Sequence, residues 1–110
     1  MIYLAGPFFS KEQLEVQKAV EAICESSGHD YYSPRLNITL GPNSTAKEQR
    51  AANSDNIAAI RGSSMILARV DDYDPGTVWE AGYSRGASLA KPIVWYSVVK
   101  KRRLKCYAQT

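Results

Sequence analysis

The chain has 110 residues, 45% hydrophobic and 23% charged, the composition of one soluble globular domain with a single core and little room for insertions. Two cysteines without CxxC spacing and one histidine exclude a disulfide framework and a zinc site, so carboxylates, tyrosines and backbone groups are left to carry any chemistry. The net charge of +3 is uneven: Lys100, Lys101, Arg102, Arg103 and Lys105 crowd the last eleven residues, leaving nine basic against eleven acidic groups before them.

Residues 1–99 therefore read as a mildly acidic α/β domain and 100–110 as a basic tail. No apolar run approaches the roughly 20 residues that span a bilayer. The opening segment is broken by Gly6-Pro7 and has no basic start, so it reads as a strand rather than a leader. Cytoplasmic location is the expectation, with no membrane partner.

Ile2 to Gly6 is a first buried strand. Ser10 is an N-cap for a helix whose apolar face is expected from Leu14, Val16, Ala19, Val20 and Ile23, ending at Gly28. Asp30 to Ser33 is a second strand, and Pro34 to Ser44, rich in Pro, Gly and Asn, is a loop. Thr45 with Glu48 forms a capping box for a helix to about Arg61, with Ala52, Ile57 and Ile60 inward. Ser64 to Val70 is the third strand and Asp71 to Asp74 its exit loop. Asp74-Pro75 pairs an N-cap with Pro at the first helical position, opening a helix to about Leu89. Lys91-Pro92 stops that helix, and Ile93 to Val99 is the fourth strand.

Alternating strands and helices predict a flavodoxin-like (Rossmann-like) parallel sheet of order 2-1-3-4 with helices on both faces. In such sheets ligands bind beyond the carboxyl ends of the strands where the order reverses, here between strands one and three. Those ends carry Gly6-Pro7-Phe8-Phe9 and Asp71 to Asp74. Gly6 admits close backbone approach, and Phe8 and Phe9 offer flat surface to a planar ring. Neither GxGxxG nor a P-loop sequence is present, which counts against dinucleotide and P-loop nucleotide binding.

Asp74 taken alone is a helix cap. Glu80, six residues on and flanked by Trp79, Ala81 and Gly82, is either a rim glutamate paired with Arg85 or Lys91, or a nucleophile or general base facing the cleft. Asp55 on the second helix reads from composition as a solvated position. Tyr3 on the first strand needs a partner for its hydroxyl if buried, and a carboxylate would serve.

Ile2-Tyr3-Leu4-Ala5-Gly6-Pro7-Phe8-Phe9, Tyr32-Ser33-Pro34-Arg35, Asp55, the block Asp74-Pro75-Gly76-Thr77-Val78-Trp79-Glu80-Ala81-Gly82-Tyr83, and Lys91-Pro92 together resemble the nucleoside 2-deoxyribosyltransferase family over residues 2 to about 97. The resemblance implies exchange of the base on a 2'-deoxyribonucleoside through a covalent deoxyribosyl-enzyme, with hydrolysis as a side outcome, and no cofactor or metal. It implies Glu80 as the nucleophile at C1', Asp55 and Asp74 as groups that engage the nucleobase and assist its protonation, and Tyr3 as the residue that orients the nucleophile. Under it Gly76 and Thr77 offer donors near the sugar and Phe8 or Phe9 stacks on the base; Arg35 and Asn37 are either exposed loop polarity, the favoured reading, or residues that close over the ligand. The implied partners are the deoxynucleoside and a free nucleobase, within a homo-oligomer that serves nucleotide salvage.

Family members usually continue past the fourth strand, and neighbouring subunits share C-terminal residues, including an asparagine; this chain ends instead in its basic run. Two other readings accompany the first. A 2'-deoxynucleoside 5'-monophosphate N-glycosidase shares the Asp-to-Glu spacing but needs a phosphate nest in the first loop, for which Pro7 and two Phe are poor material. A non-catalytic nucleoside-binding module whose tail binds nucleic acid ranks third; nucleic acid is otherwise not the expected partner.

Overall fold

The computed structural model describes residues 1–37, 40–71, 74–87 and 91–98. The elements run β1 (Ile2–Ala5), α1 (Lys11–Ser26), β2 (Tyr31–Tyr32), α2 (Pro34–Asn37), α3 (Ala46–Gly62), β3 (Met65–Arg69), α4 (Pro75–Gly86) and β4 (Ile93–Tyr96). The four strands form one parallel sheet of order β2-β1-β3-β4, as the alternation of elements predicts.

Sequence-encoded caps fix the starts of the helices. Ser10 and Gln13 form a full capping box on α1, and Thr45 and Glu48 form another on α3. Each satisfies backbone donors that the first helical turn leaves unpaired. Asp74 caps α4 with Pro75 just inside. Lys91, beyond the end of α4, donates through Nζ to the carbonyls of Ile60, Arg61 and Ser63. It thereby closes the C-terminus of α3, where a cation also meets the negative end of the helix.

Alternation along the strands divides the core into two layers. Tyr3, Ala5, Ile66 and Ala68 point to one face and pack with Ala59 and Ile60 of α3, joined by Tyr83 of α4 and Ile93. Leu4 and Arg69 point to the other face, where Arg69 reaches the α1 backbone.

Three expectations are corrected here. The buried face of α1 is Gln17, Glu21 and Cys24, while Ile23 is 63% exposed. The polar pair is accommodated because Gln17 Nε2 donates to Ser33 Oγ (3.1 Å), Ser33 Oγ donates to Glu21 Oε2 (2.6 Å) and Arg35 pairs with Glu21; buried polar groups are tolerated when they are hydrogen-bonded to one another. The loop expected from Pro34 begins instead with the single turn of α2. On α3, Ala59 is buried and Ile57 only partly so. The expected ends of the fourth helix and fourth strand at Leu89 and Val99, together with Asp72, Tyr73 and the basic tail, lie outside the described residues.

Candidate active site

A cavity of about 340 Å³ opens beyond the carboxyl ends of β1 and β3, lined by residues of the β1–α1 loop, Pro34, Asn53 and Asn56 of α3, and Asp74, Gly76, Trp79 and Glu80 at the start of α4. The first loop contributes Gly6, Phe8 and Phe9. Phe8 and Phe9 stack on each other with ring centres 4.9 Å apart, and Phe9 is 76% exposed. Trp79, also in the lining, stacks on Tyr83 at 5.5 Å. The opening is thus bordered by aromatic faces suited to a planar ring.

Glu80 lines this cavity. Its Oε2 accepts a hydrogen bond from the hydroxyl of Tyr3, a fully buried residue of the central strand. Burial drives the Glu80 carboxyl up to about 7, the Tyr3 hydrogen bond pulls the other way, and the charge of Asp74 adds to the rise. Loss of water outweighs the one strong donor. The Tyr3 phenol is itself held strongly toward its neutral form, first by burial and then by the Glu80 charge, so it remains a donor to that carboxylate. Neither Arg85 nor Lys91 pairs with Glu80; Lys91 is committed to α3.

Asp74 Oδ2 accepts from both the backbone N and the hydroxyl of Thr77, each at 2.9 Å. The cap therefore fixes the rotamer of a carboxylate that also lines the cavity. Gly76 leaves room for this carboxylate, since a Cβ there would stand 3.2 Å from Asp74 Oδ2. Tyr32 stacks on Tyr3 at 5.5 Å and donates to Asn56 Oδ1 at 3.1 Å, linking the Tyr3–Glu80 pair to a cavity-lining amide of α3.

The structure gathers Glu80, Tyr3, Asp74, Gly6, Phe8, Phe9 and Gly76 at one place. It puts three other sequence candidates elsewhere. Thr77 is buried in the cap and does not line the cavity. Asp55 is exposed and outside the lining, though near enough for its charge to help burial raise the Tyr32 phenol. Arg35 is not a free loop residue, because its guanidinium is engaged by Glu21 in the ion pair that fixes α2 against α1. Gly6 does line the cavity, but the crowding that requires glycine comes from within, as a Cβ would lie 2.9 Å from Gln17 Oε1.

Sequence reasoning did not single out Pro34, Asn53 and Asn56 as lining residues; the only signal for the last two is their spacing of three on one helix face. Among the described residues no cluster of His, Cys, Asp and Glu is arranged to hold a metal ion, and no helix is long and apolar enough to cross a membrane.

A parallel α/β sheet with a buried carboxylate, a tyrosine partner and a second acid at its switch point defines a flavodoxin-like protein with its cleft beyond the carboxyl ends of the strands. The family model described as nucleoside 2-deoxyribosyltransferase matches residues 2–107, and the chain belongs to that family. Among solved structures it is similar to a 2-deoxyribosyltransferase from Bacillus psychrosaccharolyticus, with 28% identity and a TM-score of 0.80, covering 94% of this chain and 76% of that one. A conserved protein from Enterococcus faecalis V583 shares the fold at 24% identity and a TM-score of 0.69, over 93% of this chain and 66% of that one. No curated protein matches the sequence.

Proposed function

We propose that this chain transfers the 2-deoxyribosyl group between nucleobases through a covalent deoxyribosyl-Glu80 intermediate. The observation that carries the reading is the cavity-facing carboxylate of Glu80, bonded to Tyr3 and set beside the capped Asp74. In the first displacement a Glu80 oxygen forms a bond to C1', the C1'–N bond breaks, and its electron pair passes to the departing base. That base is protonated through Asp74, a cavity-lining carboxylate whose Oδ2 is held by Thr77, with Asp55, outside the lining of this chain, assisting as the family resemblance implies. A second base, or water, then attacks C1' and releases Glu80, so two inversions retain configuration. The sugar lacks a 2'-hydroxyl, which eases build-up of positive charge at C1'.

Tyr3 orients the attacking oxygen and stabilises its ionised form. With Glu80 near 7, kcat/KM rises with pH up to about neutrality, because only the carboxylate attacks. The first loop favours an unphosphorylated nucleoside over its 5'-monophosphate: Pro7 has no N–H, and the N–H groups of Phe9 and Ser10 both donate to Gln13 Oε1, leaving little of an anion nest.

Incubation of deoxyinosine or thymidine with adenine, followed by chromatography, tests the proposal. Deoxyadenosine and the free first base are expected. Neither exchange nor free base at high enzyme concentration would refute it.

A further inference from the structure

We propose that Arg69 is a positioning residue that turns the Pro7–Phe8 peptide so that the Phe8 N–H binds an oxygen of the nucleoside. The proposal rests on the deoxynucleoside reading above.

Arg69 is 1% exposed on β3. Among the described residues the only ion pair joins Arg35 to Glu21, so no described carboxylate pairs with this buried guanidinium. Such burial is costly unless other acceptors surround the charge. Arg69 Nη2 donates to the carbonyl of Pro7, and at 3.4 Å to that of Gln13; burial raises the phenol of Tyr96 on the neighbouring strand, and the charge of Arg69 pulls against that rise. A strand residue thus holds the backbone of the loop that forms one wall of the cavity.

Each N–H of that loop can be followed to its destination. Pro7 has none. Phe9 N and Ser10 N both donate to Gln13 Oε1, at 3.0 Å each. The Phe8 N–H has no partner among the described residues. No peptide bond there is cis, and in a trans peptide the carbonyl and the next N–H point opposite ways. With the Pro7 carbonyl drawn toward Arg69 and α1, the Phe8 N–H is directed away from them, on the side where Gly6, Phe8 and Phe9 line the cavity. Gln17, pressed against Gly6, restricts movement at the base of the loop. Without Arg69 the peptide is free to rotate and present a carbonyl to the ligand in place of a donor.

The test combines amide spectra of the 15N-labelled chain, titrated with deoxyinosine and separately with thymidine, with kinetics of Arg69→Met and Arg69→Lys on the same nucleosides. The Phe8 amide is expected to shift together with Gly76 and Trp79. Arg69→Met is expected to raise KM about tenfold with kcat within about twofold, the signature of one lost ground-state hydrogen bond, and Arg69→Lys to recover part of the loss. Shifts at Gly76 and Trp79 without Phe8, or an unchanged KM in folded Arg69→Met, overturn this proposal while leaving the deoxynucleoside reading in place. No shift anywhere overturns both. If Arg69→Met does not fold, the titration of the unaltered chain decides.

Discussion

Replacing Glu80 by Gln separates what the carboxylate does for the reaction from what it does to the fold. In the native chain the carboxyl is raised from its ordinary 4.5 to about 7, chiefly by burial. Below pH 4.5 it is protonated in both folded and unfolded chains and imposes no cost. Between 4.5 and 7 the unfolded chain releases the proton first, so native stability falls as pH rises, and above 7 the folded chain carries the full cost of a buried charge. At about 1.4 kcal/mol per pH unit that cost approaches about 3 kcal/mol, and water entering through the open cavity lowers it to about 2.

Glu80→Gln keeps a carbonyl oxygen for the Tyr3 hydroxyl and removes the charge. Denaturant unfolding of the two proteins, repeated from pH 4 to pH 8.5, is expected to show the variant gaining about 2 kcal/mol above pH 7 and nothing below pH 4.5. Exchange activity of the same variant falls by at least about 1,000-fold, since an amide is a poor nucleophile. A stability difference independent of pH, or one that grows toward acid, would refute the argument that desolvation dominates this group. Retained exchange would remove Glu80 from the nucleophile's role.

Tyr3→Phe deletes the donor that holds Glu80 down, so the acid limb of kcat/KM is expected to move to higher pH and the rate at pH 7 to drop about 10- to 100-fold, as for a hydrogen bond to a charged acceptor; a limb that stays put contradicts the Tyr3–Glu80 coupling. Asp74→Asn keeps an oxygen for Thr77 and removes the charge, whereas Asp74→Ala loses the cap as well. Both should be poorly active with the Glu80 limb moved toward acid, but only Ala should cost about 1 kcal/mol in unfolding. Glu21→Ala strands Arg35 and Ser33 and is expected to cost about 3 kcal/mol in urea unfolding, with kcat of the folded fraction near that of the native enzyme.

The order of the sheet, the three capped helices and the position of the cleft are written in local signals: Ser10, Thr45 and Asp74 before apolar periods, and β-rich runs between them. These need only neighbours in the chain. Spacing also carried the pairing of Asp74 with Glu80, because six residues across a helix start leave both carboxylates at one end.

Tertiary structure decided the rest. It put Gln17 and Glu21 inside α1 and left Ile23 in water, since a helix face is buried by what lies opposite it, and Ser33 and Arg35 lie there. The same network withdrew Arg35 from the ligand. Asp55 stands outside the lining although its neighbours Asn53 and Asn56 line it, because helix rotation against the sheet selects which side chains face the cavity. The Tyr3–Glu80 bond spans 77 positions, and no local pattern specifies it. Composition offered one histidine and eleven acidic residues; folding removed water from one of those acids, and that desolvation is what makes Glu80 chemically distinct.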